Sequence, residues 1–355
     1  MDVVGLLREL CQACGVSGYE APVRAIVQRA LEPHADEIRQ DALGNLVALK
    51  RGQRQAAGRV PSVMLAAHLD EIGLMVTGIE RGFLRFTPVG GVDTRTIVGQ
   101  EVTVHGRRPL PGIIASRPPH VVPQEERDKP VPLDKLFIDV GLDATAIEQT
   151  VCIGDIVTLR GAFQELADGC VAGKAFDDRT GVVSLALCLE MLTNMAHSWD
   201  VFVVATSQEE RGLRGATVAA YGINPDVAIA VDVTFAMQPG TKESETVALD
   251  GGPAIGFGPN IHPLVFERLR DAARSYEIKH QIEVLPGNSG TDAWAIQVTR
   301  EGIPTGLVSI PLRYMHTSVE LACIRDIERS ARLLALFVTG LDASLEQALG
   351  SQRRG

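Results

Sequence analysis

The sequence lacks the features of several protein classes. No apolar run reaches the roughly 18 residues that a membrane-spanning helix needs. The N-terminal MDVVGLLRELCQACG has neither the basic segment nor the long apolar segment of a secretory signal peptide. No basic cluster exceeds Gly106-Arg107-Arg108 or the Arg353-Arg354 pair, so the charge pattern is not that of a nucleic-acid surface. These absences predict a protein that binds neither membranes nor nucleic acids.

Cysteine is also scarce, with six residues scattered over 355 positions. This spacing is typical of reduced thiols rather than of a disulfide framework, and it predicts a cytoplasmic protein. Cys11 and Cys14 have CxxC spacing, but they lie in an amphipathic segment without a second pair at zinc-finger spacing. We therefore expect both to belong to the core.

What the sequence does contain is an α/β pattern with a change of texture in the middle. Its 45% hydrophobic content suffices for one large core or for two domains. Two helices are expected before residue 35, and helices alternate with strands from about residue 173. Residues 71–162 instead show short β-type runs separated by Gly and Pro. The pattern predicts an α/β catalytic domain over 1–70 and 163–345, a β-rich domain inserted over 71–162, and a tail over 346–355.

Polar residues follow several apolar strands of the predicted α/β domain. The strand VMLAA runs into His68 and Asp70, VFVVATSQ into Glu209 and Glu210, and VAIAV into Asp232. Two further donors also lie at the ends of predicted elements: Asp177 precedes a predicted helix, and His316 follows a late strand. Ligands in open α/β sheets collect outside the carboxyl ends of the strands, so these side chains could converge in one crevice.

Each donor alone has an ordinary structural explanation. A histidine can bond to a loop or lie on the surface, Asp177-Asp178 can cap the helix that follows, and Glu209-Glu210 can form a solvated turn. Taken jointly, two imidazoles and three carboxylates suit a pair of zinc-like divalent ions. Carboxylates this close would repel one another without cations. The sequence therefore predicts that His68, Asp177, Glu210, Asp232 and His316 bind metal.

Two carboxylates remain for other roles. Glu209 adjoins a predicted ligand, and neighbouring side chains in an extended chain point in different directions. It could therefore face a water molecule activated by the ions and act as general base. Asp70 lies two residues past His68 on the same side of an extended chain, where it could orient the imidazole.

Six segments resemble the TET aminopeptidases, family forty-two of the metallopeptidases. They are AHLDEIGLMV, GKAFDDRTG, SQEERGLRGA, VDVT, SGTDA and YMHTSVE, and they follow in order over nearly the whole chain. The resemblance implies a mixed central sheet covered by helices, as in zinc peptidases, with an inserted PDZ-like β-barrel. It also implies hydrolysis of N-terminal residues from peptides and a homo-oligomer in which dimers assemble into a tetrahedral dodecamer.

The resemblance further implies how the ligands are shared between two zinc or cobalt ions. His68 and Asp232 would hold one ion, Glu210 and His316 the other, and Asp177 would bridge them. Asp177 is preferred to Asp178 because the bridging aspartate of the wider clan precedes an acidic residue across a cis peptide. Glu209 would be the general base.

Three positions depart from the family pattern: Arg211, Trp294 and Ser318. None removes a proposed ligand, but Arg211 and Trp294 could reshape the substrate pocket. Two alternatives stay open. One is a dipeptidase or deacylase of the same clan, which needs an Arg or His clamp for a substrate carboxylate. Arg211 and Arg313 are the candidates for that clamp. The other alternative is a catalytically dead oligomeric scaffold.

Overall fold

The computed structural model describes residues 1–53, 59–127 and 129–352. Its elements in chain order are α1 (Val3–Gln12), α2 (Ala21–Leu31), β1 (Glu37–Gln40), β2 (Leu46–Lys50), β3 (Ser62–His68), β4 (Gly73–Glu80), β5 (Phe83–Val89), β6 (Glu101–His105), β7 (Pro109–Ala115), β8 (Phe137–Asp139), α3 (Ala144–Thr150), β9 (Ile156–Leu159), β10 (Gln164–Glu165), β11 (Cys170–Gly173), α4 (Phe176–Leu192), β12 (Asp200–Thr206), α5 (Arg214–Ile223), β13 (Val227–Phe235), β14 (Ala254–Phe257), α6 (Pro263–Ser275), β15 (Gln281–Val284), α7 (Asp292–Gln297), β16 (Thr305–Arg313), β17 (Glu320–Cys323), α8 (Ile324–Thr339) and α9 (Ala343–Gln352). Short 3-10 turns connect some of them.

The first two helices begin as their sequences predict. The Asp2 carboxylate accepts a hydrogen bond from the backbone N–H of Gly5 and so caps α1. Pro22 occupies the first turn of α2, where its missing N–H costs nothing. Leu7, Leu10 and Val27 are buried in the main core, so the apolar stripes of both helices face inward.

The centre of the molecule is a mixed sheet. Eleven of the strands described here form it, in the order β1-β2-β12-β3-β13-β16-β17-β11-β10, with β14 paired to β15 and to β16. The contacts of β3 with β12 and β13, and of β13 with β16, are parallel. Every residue of β3 is buried, because helices cover the sheet. Parallel pairing brings the carboxyl ends of these four strands to one edge.

The helices pack directly on this sheet. Helix α4 packs against α8 and contacts β3 and β13, while α5 and α7 pack on each other and contact β12 and β13. Nearly the whole of α4 is buried, so it acts as a central element of the core. Within the described residues, no helix combines the length and the apolar character needed to cross a bilayer.

The middle of the chain forms a separate closed barrel. Strands β4-β5-β8-β7-β6-β9 close it, and their inward side chains make a second hydrophobic cluster that includes Leu74, Leu84, Val104 and Ile138. The expected fold class, a mixed α/β sheet with a small β-barrel, is thus confirmed. One helix was not expected between residues 71 and 162: α3 begins at the Asp143 cap and buries only Ile147.

The domain boundaries stay predictions, as does the tail. Residues 343–352 form α9, and Leu345 and Leu349 are buried in the main core. Residues 353–355, including the Arg353-Arg354 pair, lie outside the described residues. Cys11 is buried in the main core, and Cys14 is partly buried.

Candidate metal centre and catalytic site

All five predicted metal ligands lie at the edge where the parallel strands end. β3 ends at His68, Asp232 lies on β13, and His316 follows the end of β16 by three residues. Glu210 follows β12, and Asp177 lies in the first turn of α4. The structure therefore brings together residues that are up to 248 positions apart in the chain.

Asp177 lies between the two histidines. Its Oδ1 is 3.0 Å from Nε2 of His68, and its Oδ2 is 3.1 Å from Nε2 of His316. The two oxygens of one carboxylate thus face two different imidazoles. The same His316 nitrogen lies 3.1 Å from Oε1 of Glu210.

Two groups of side chains have donor atoms close enough together for a metal ion. Asp177, Glu210 and His316 form one group, and His68, Asp178 and Asp232 form the other. Asp178 was not predicted as a ligand. Its carboxylate accepts hydrogen bonds from the backbone N–H groups of Gly181 and His68, and its peptide bond to Asp177 is cis, as the resemblance implied.

Burial and crowding shift the pKa values of the acidic groups. Burial, together with neighbouring carboxylates, raises the pKa of Asp178 and of Asp232 well above the usual range. The same causes raise the pKa of Glu209 to about 10. Burial alone would also raise the pKa of Asp177, but the two histidines outweigh it and hold that pKa below its usual value.

The histidines show the complementary effect. Burial alone would lower the pKa of His316, but Asp177 and Glu210 outweigh it and raise the pKa to about 11. The pKa of His68 is raised in the same way by Asp177 and Asp70 against the effect of burial. Positive charge is therefore strongly favoured at this cluster of carboxylates.

This donor set fits divalent metal ions. Two imidazoles and several buried carboxylates are the ligand types of zinc and of similar first-row ions. Nδ1 of His68 lies 3.0 Å from the backbone oxygen of Asp70, and Nδ1 of His316 lies 3.1 Å from that of Gly91. Each carbonyl can hold the ring so that Nε2 faces the carboxylates, as is usual for metal-binding histidines.

Asp70 contacts several segments of the site, and its predicted role in orienting the His68 imidazole stays a prediction. Its carboxylate is 3.6 Å from His68, and only its backbone carbonyl is within hydrogen-bond distance of that imidazole. The carboxylate instead accepts the backbone N–H of Glu209 at 2.9 Å and that of Glu210 at 3.1 Å, and it also accepts the hydroxyl of Ser17. Asp70 therefore positions the predicted base and a predicted ligand together.

Two further acidic residues belong to the site, although the sequence argument gave them no role. Glu320 accepts hydrogen bonds from the N–H groups of Phe176, Asp177 and His316, and so fixes two segments that carry predicted ligands. It lies four residues after His316 in YMHTSVE, which was the available signal. Asp292 of SGTDA accepts the Thr206 hydroxyl, and its other oxygen is buried without a hydrogen-bond partner among the described residues.

Of the three departures from the family pattern, Ser318 has a defined contact. Its hydroxyl donates to the Gln100 side chain at 2.7 Å, which ties the segment after His316 to the barrel side of the molecule. Arg211 is exposed, and Trp294 is 40% exposed on α7. Nothing in the structure explains the choice of Arg211 or Trp294.

The donors line an open cleft of about 1000 Å³. Its remaining walls come mainly from β13, the loop before Val247, β15 and the segment 285–291. Among the described residues, none of those lining the cleft is a lysine or an arginine. Arg211 and Arg313, the candidate carboxylate clamps, are absent from the lining, and the Nε of Arg313 donates to the Met237 carbonyl.

Comparison with known proteins identifies the family of the chain. Residues 44–333 match the family described as M42 glutamyl aminopeptidase. The lysyl aminopeptidase of Pyrococcus furiosus is 39% identical over 337 residues, which cover 92% of this chain and 94% of that protein.

Solved structures show the same relationship. Aminopeptidase APDkam598 of the archaeon Desulfurococcus kamchatkensis is 38% identical, with a TM-score of 0.90 over 98% of this chain and 97% of that one. The TET1 peptidase of Pyrococcus horikoshii, described as able to assemble into a tetrahedron or a large octahedral shell, is 31% identical. Its TM-score is 0.84 over 96% of this chain and 100% of that chain. The resemblance seen in the sequence is thus confirmed, and the chain belongs to the M42 glutamyl aminopeptidase family, whose members are metal-dependent exopeptidases.

Proposed function

We propose that this aminopeptidase holds two divalent ions and uses Glu209 as its general base. His68 and Asp232 would bind one ion, Glu210 and His316 the other, and Asp177 both. The observation that carries the proposal is the placement of the two Asp177 oxygens at 3.0 and 3.1 Å from two different histidines. Both zinc and cobalt accept these donors, so either could be the native metal.

The residues of the site divide the chemistry between them. When bound, the ions would polarise the scissile carbonyl and make water a better acid. The Glu209 carboxylate, whose Oε2 is 4.0 Å from Nε2 of His68, would take the proton of the attacking water and pass it to the leaving nitrogen. The Asp70 carboxylate keeps Glu209 in place by accepting a hydrogen bond from the backbone N–H of Glu209.

The cleft favours an aminopeptidase over the alternative dipeptidase or deacylase. An enzyme that recognises a substrate carboxylate needs a cationic clamp beside the metals, and no lysine or arginine of the described chain lines this cleft. The acidic surroundings instead suit the positively charged amine at the N-terminus of a peptide.

The test uses purified protein stripped with a chelator and reloaded with zinc or cobalt. Leu-, Glu- and Lys-p-nitroanilides, which have no terminal carboxylate, should be hydrolysed only after reloading. Glu209→Gln should lower kcat about 10²- to 10⁴-fold while two ions per chain remain bound. Glu210→Gln, the neighbouring control, should reduce the bound metal.

Two outcomes would contradict the proposal. Glu209→Gln with near wild-type kcat would remove the base from its role. A protein that binds metal but hydrolyses none of the three substrates would favour the inert scaffold.

We further propose that the chain acts in the cytoplasm as a homo-oligomer of dodecameric size. The support is the set of six free cysteines and the assembly described for the related TET1 peptidase. Light scattering on the purified protein should give about twelve times the mass of 38.1 kDa, and a stable monomer or dimer would contradict it.

A further inference from the structure

The cleft contains a second acidic position away from the predicted ligands. Glu283 lies on β15 and lines the cleft together with Asp232 and Thr234 of β13. The family comparison assigns no role to it. Its environment is unlike that of the metal cluster, because its neighbours are hydroxyl groups rather than histidines or carboxylates.

The Glu283 carboxylate is held by two neutral donors. The hydroxyl of Thr234 donates to Oε1, and that of Ser309 donates to Oε2 at 2.8 Å. No lysine or arginine in the part of the chain described forms an ion pair with Glu283. A partly buried carboxylate without a counter-ion is costly, and a cation arriving with a ligand would offset that cost.

The geometry of β13 sets the spacing between Glu283 and the predicted metal ligands. Thr234 follows Asp232 by two positions on β13, so both side chains are on the same face of the strand, about 7 Å apart. The Glu283 carboxylate accepts the Thr234 hydroxyl, so it lies in the cleft beside the strand position two residues past Asp232. The four-carbon stem of a lysine spans a comparable distance.

The cleft walls suit a long cationic side chain. Leu213, Phe235, Leu285 and Met315 line the cleft and offer apolar surface for a methylene stem. Glu245 also lines it, but its carboxylate is 2.7 Å from the Lys242 ammonium and is partly neutralised. Among the described residues that line the cleft, Glu283 is thus the acidic group outside the predicted metal cluster that has no cationic partner.

We propose that Glu283 determines specificity by binding the basic side chain of the substrate's N-terminal residue, so that peptides beginning with lysine or arginine are preferred. This inference rests on the proposed aminopeptidase function. It also predicts that N-terminal glutamate is disfavoured, because its carboxylate would face Glu283 at close range.

The test compares lysine with norleucine, which has a nearly isosteric side chain without the ammonium group. The kcat/KM ratio for Lys- over norleucine-p-nitroanilide in the metal-loaded enzyme should exceed about 10. In Glu283→Gln the ratio should fall about 10- to 100-fold, with norleucine hydrolysis changed less than about threefold. Glu328→Gln, an exposed position on α8 with the same charge change, should keep the wild-type ratio.

A second readout is inhibition by the free amino acids. L-lysine should inhibit wild type more strongly than L-norleucine, and Glu283→Gln should lose that difference. If Glu283→Gln fails to fold, as judged by thermal melting, the wild-type ratio still decides: above about 10 it supports an acidic pocket for a basic side chain, and below about 10 it overturns that pocket.

Failures of the two proposals look different. A wild-type enzyme that hydrolyses norleucine or glutamate substrates as well as lysine substrates would overturn the role of Glu283 and leave the aminopeptidase standing. The role of Glu283 would also be overturned by a variant that loses lysine and norleucine activity equally. A protein without activity on any of these substrates after metal reloading would overturn both.

Discussion

The central sheet and the barrel bury their strands in different ways. In β3 every residue is buried, and in β13 and β16 all but the last are. In β7 of the barrel, buried and exposed residues alternate almost throughout. The sheet is covered on both faces and the barrel on one. Functional polar groups of the sheet therefore lie at or near the carboxyl ends of its strands, as His68 and Asp232 do.

The two regions meet at the site. Glu71, between β3 and β4, is buried against Arg179 and Lys174, while Gly91, just after β5, contacts His316. The barrel is thus part of the surroundings of the site rather than a distant appendage. The difference between the central sheet and the barrel can be tested by substitutions at this junction, within each region, and at the contact with His316.

The largest effect is expected at Glu71. Glu71→Gln would leave the guanidinium of Arg179, which is 0% exposed, and the ammonium of Lys174 without their charged partner. Breaking such a buried network costs about 3–5 kcal/mol. Urea denaturation at pH 7 measures it, and Glu37→Gln, which breaks the exposed pair with Arg51, should change little. Equal midpoints for the two variants would contradict the structural importance of the junction.

The difference in stability between wild type and Glu71→Gln should depend on pH. Burial alone would raise the pKa of Glu71, but Lys174 and Arg179 outweigh it, and the pKa lies below the ordinary 4.5. A lowered pKa in the folded protein stabilises it above that value, and the contribution is lost as the pH falls through the folded pKa. Acidification below about pH 4.5 should therefore narrow the stability gap between wild type and Glu71→Gln.

Substitutions at two neighbouring positions should destabilise the protein equally in the sheet but unequally in the barrel. In β3, Met64→Ala and Leu65→Ala should each cost about 2–5 kcal/mol, because both side chains are fully buried. In β7, Ile114→Ala should cost a similar amount, whereas Ile113→Ala, at a position 53% exposed, should change stability by less than about 0.5 kcal/mol. Urea midpoints compare the four variants. A large loss for Ile113→Ala would show that this face of the barrel is covered in the assembled protein.

The smallest effect on stability is expected where the barrel contacts His316. A Cβ at position 91 would lie 2.6 Å from Nδ1 of His316, so Gly91→Ala should displace that imidazole. We expect kcat/KM to fall about 10- to 100-fold with metal affinity reduced and the melting temperature nearly unchanged. Gly78→Ala, whose new Cβ would be 3.7 Å from its nearest neighbour, is the matched control in β4. Full activity in Gly91→Ala would mean that the barrel segment does not position His316.

The elements that could be predicted from the sequence are those with a strong period or a clear end. Long buried strands such as β3 and β13 and amphipathic helices such as α1 and α8 were expected in the right places. The two-residue β10 and the four-residue β11, β14 and β17 were not expected. Such short strands are defined by their partners rather than by their own pattern, as β17 is by β16 and β11.

The site shows the same division. The five predicted ligands and Glu209, whose roles stay predictions, could be singled out because each lies at or after the end of an apolar run or at the start of a helix. The contacts of the Asp70 carboxylate and the three hydrogen bonds accepted by Glu320 could not, because they join segments from distant parts of the chain.

The sequence by itself determined which segments are buried and which donor types follow them, because apolar periodicity and local chain breaks are properties of neighbouring residues. Only the tertiary structure decided that the two oxygens of Asp177 face different histidines and that Glu283 lacks a cationic partner among the residues described. Those facts depend on strand order and register across the sheet, and interactions between strands hundreds of residues apart leave no periodic trace in any one segment.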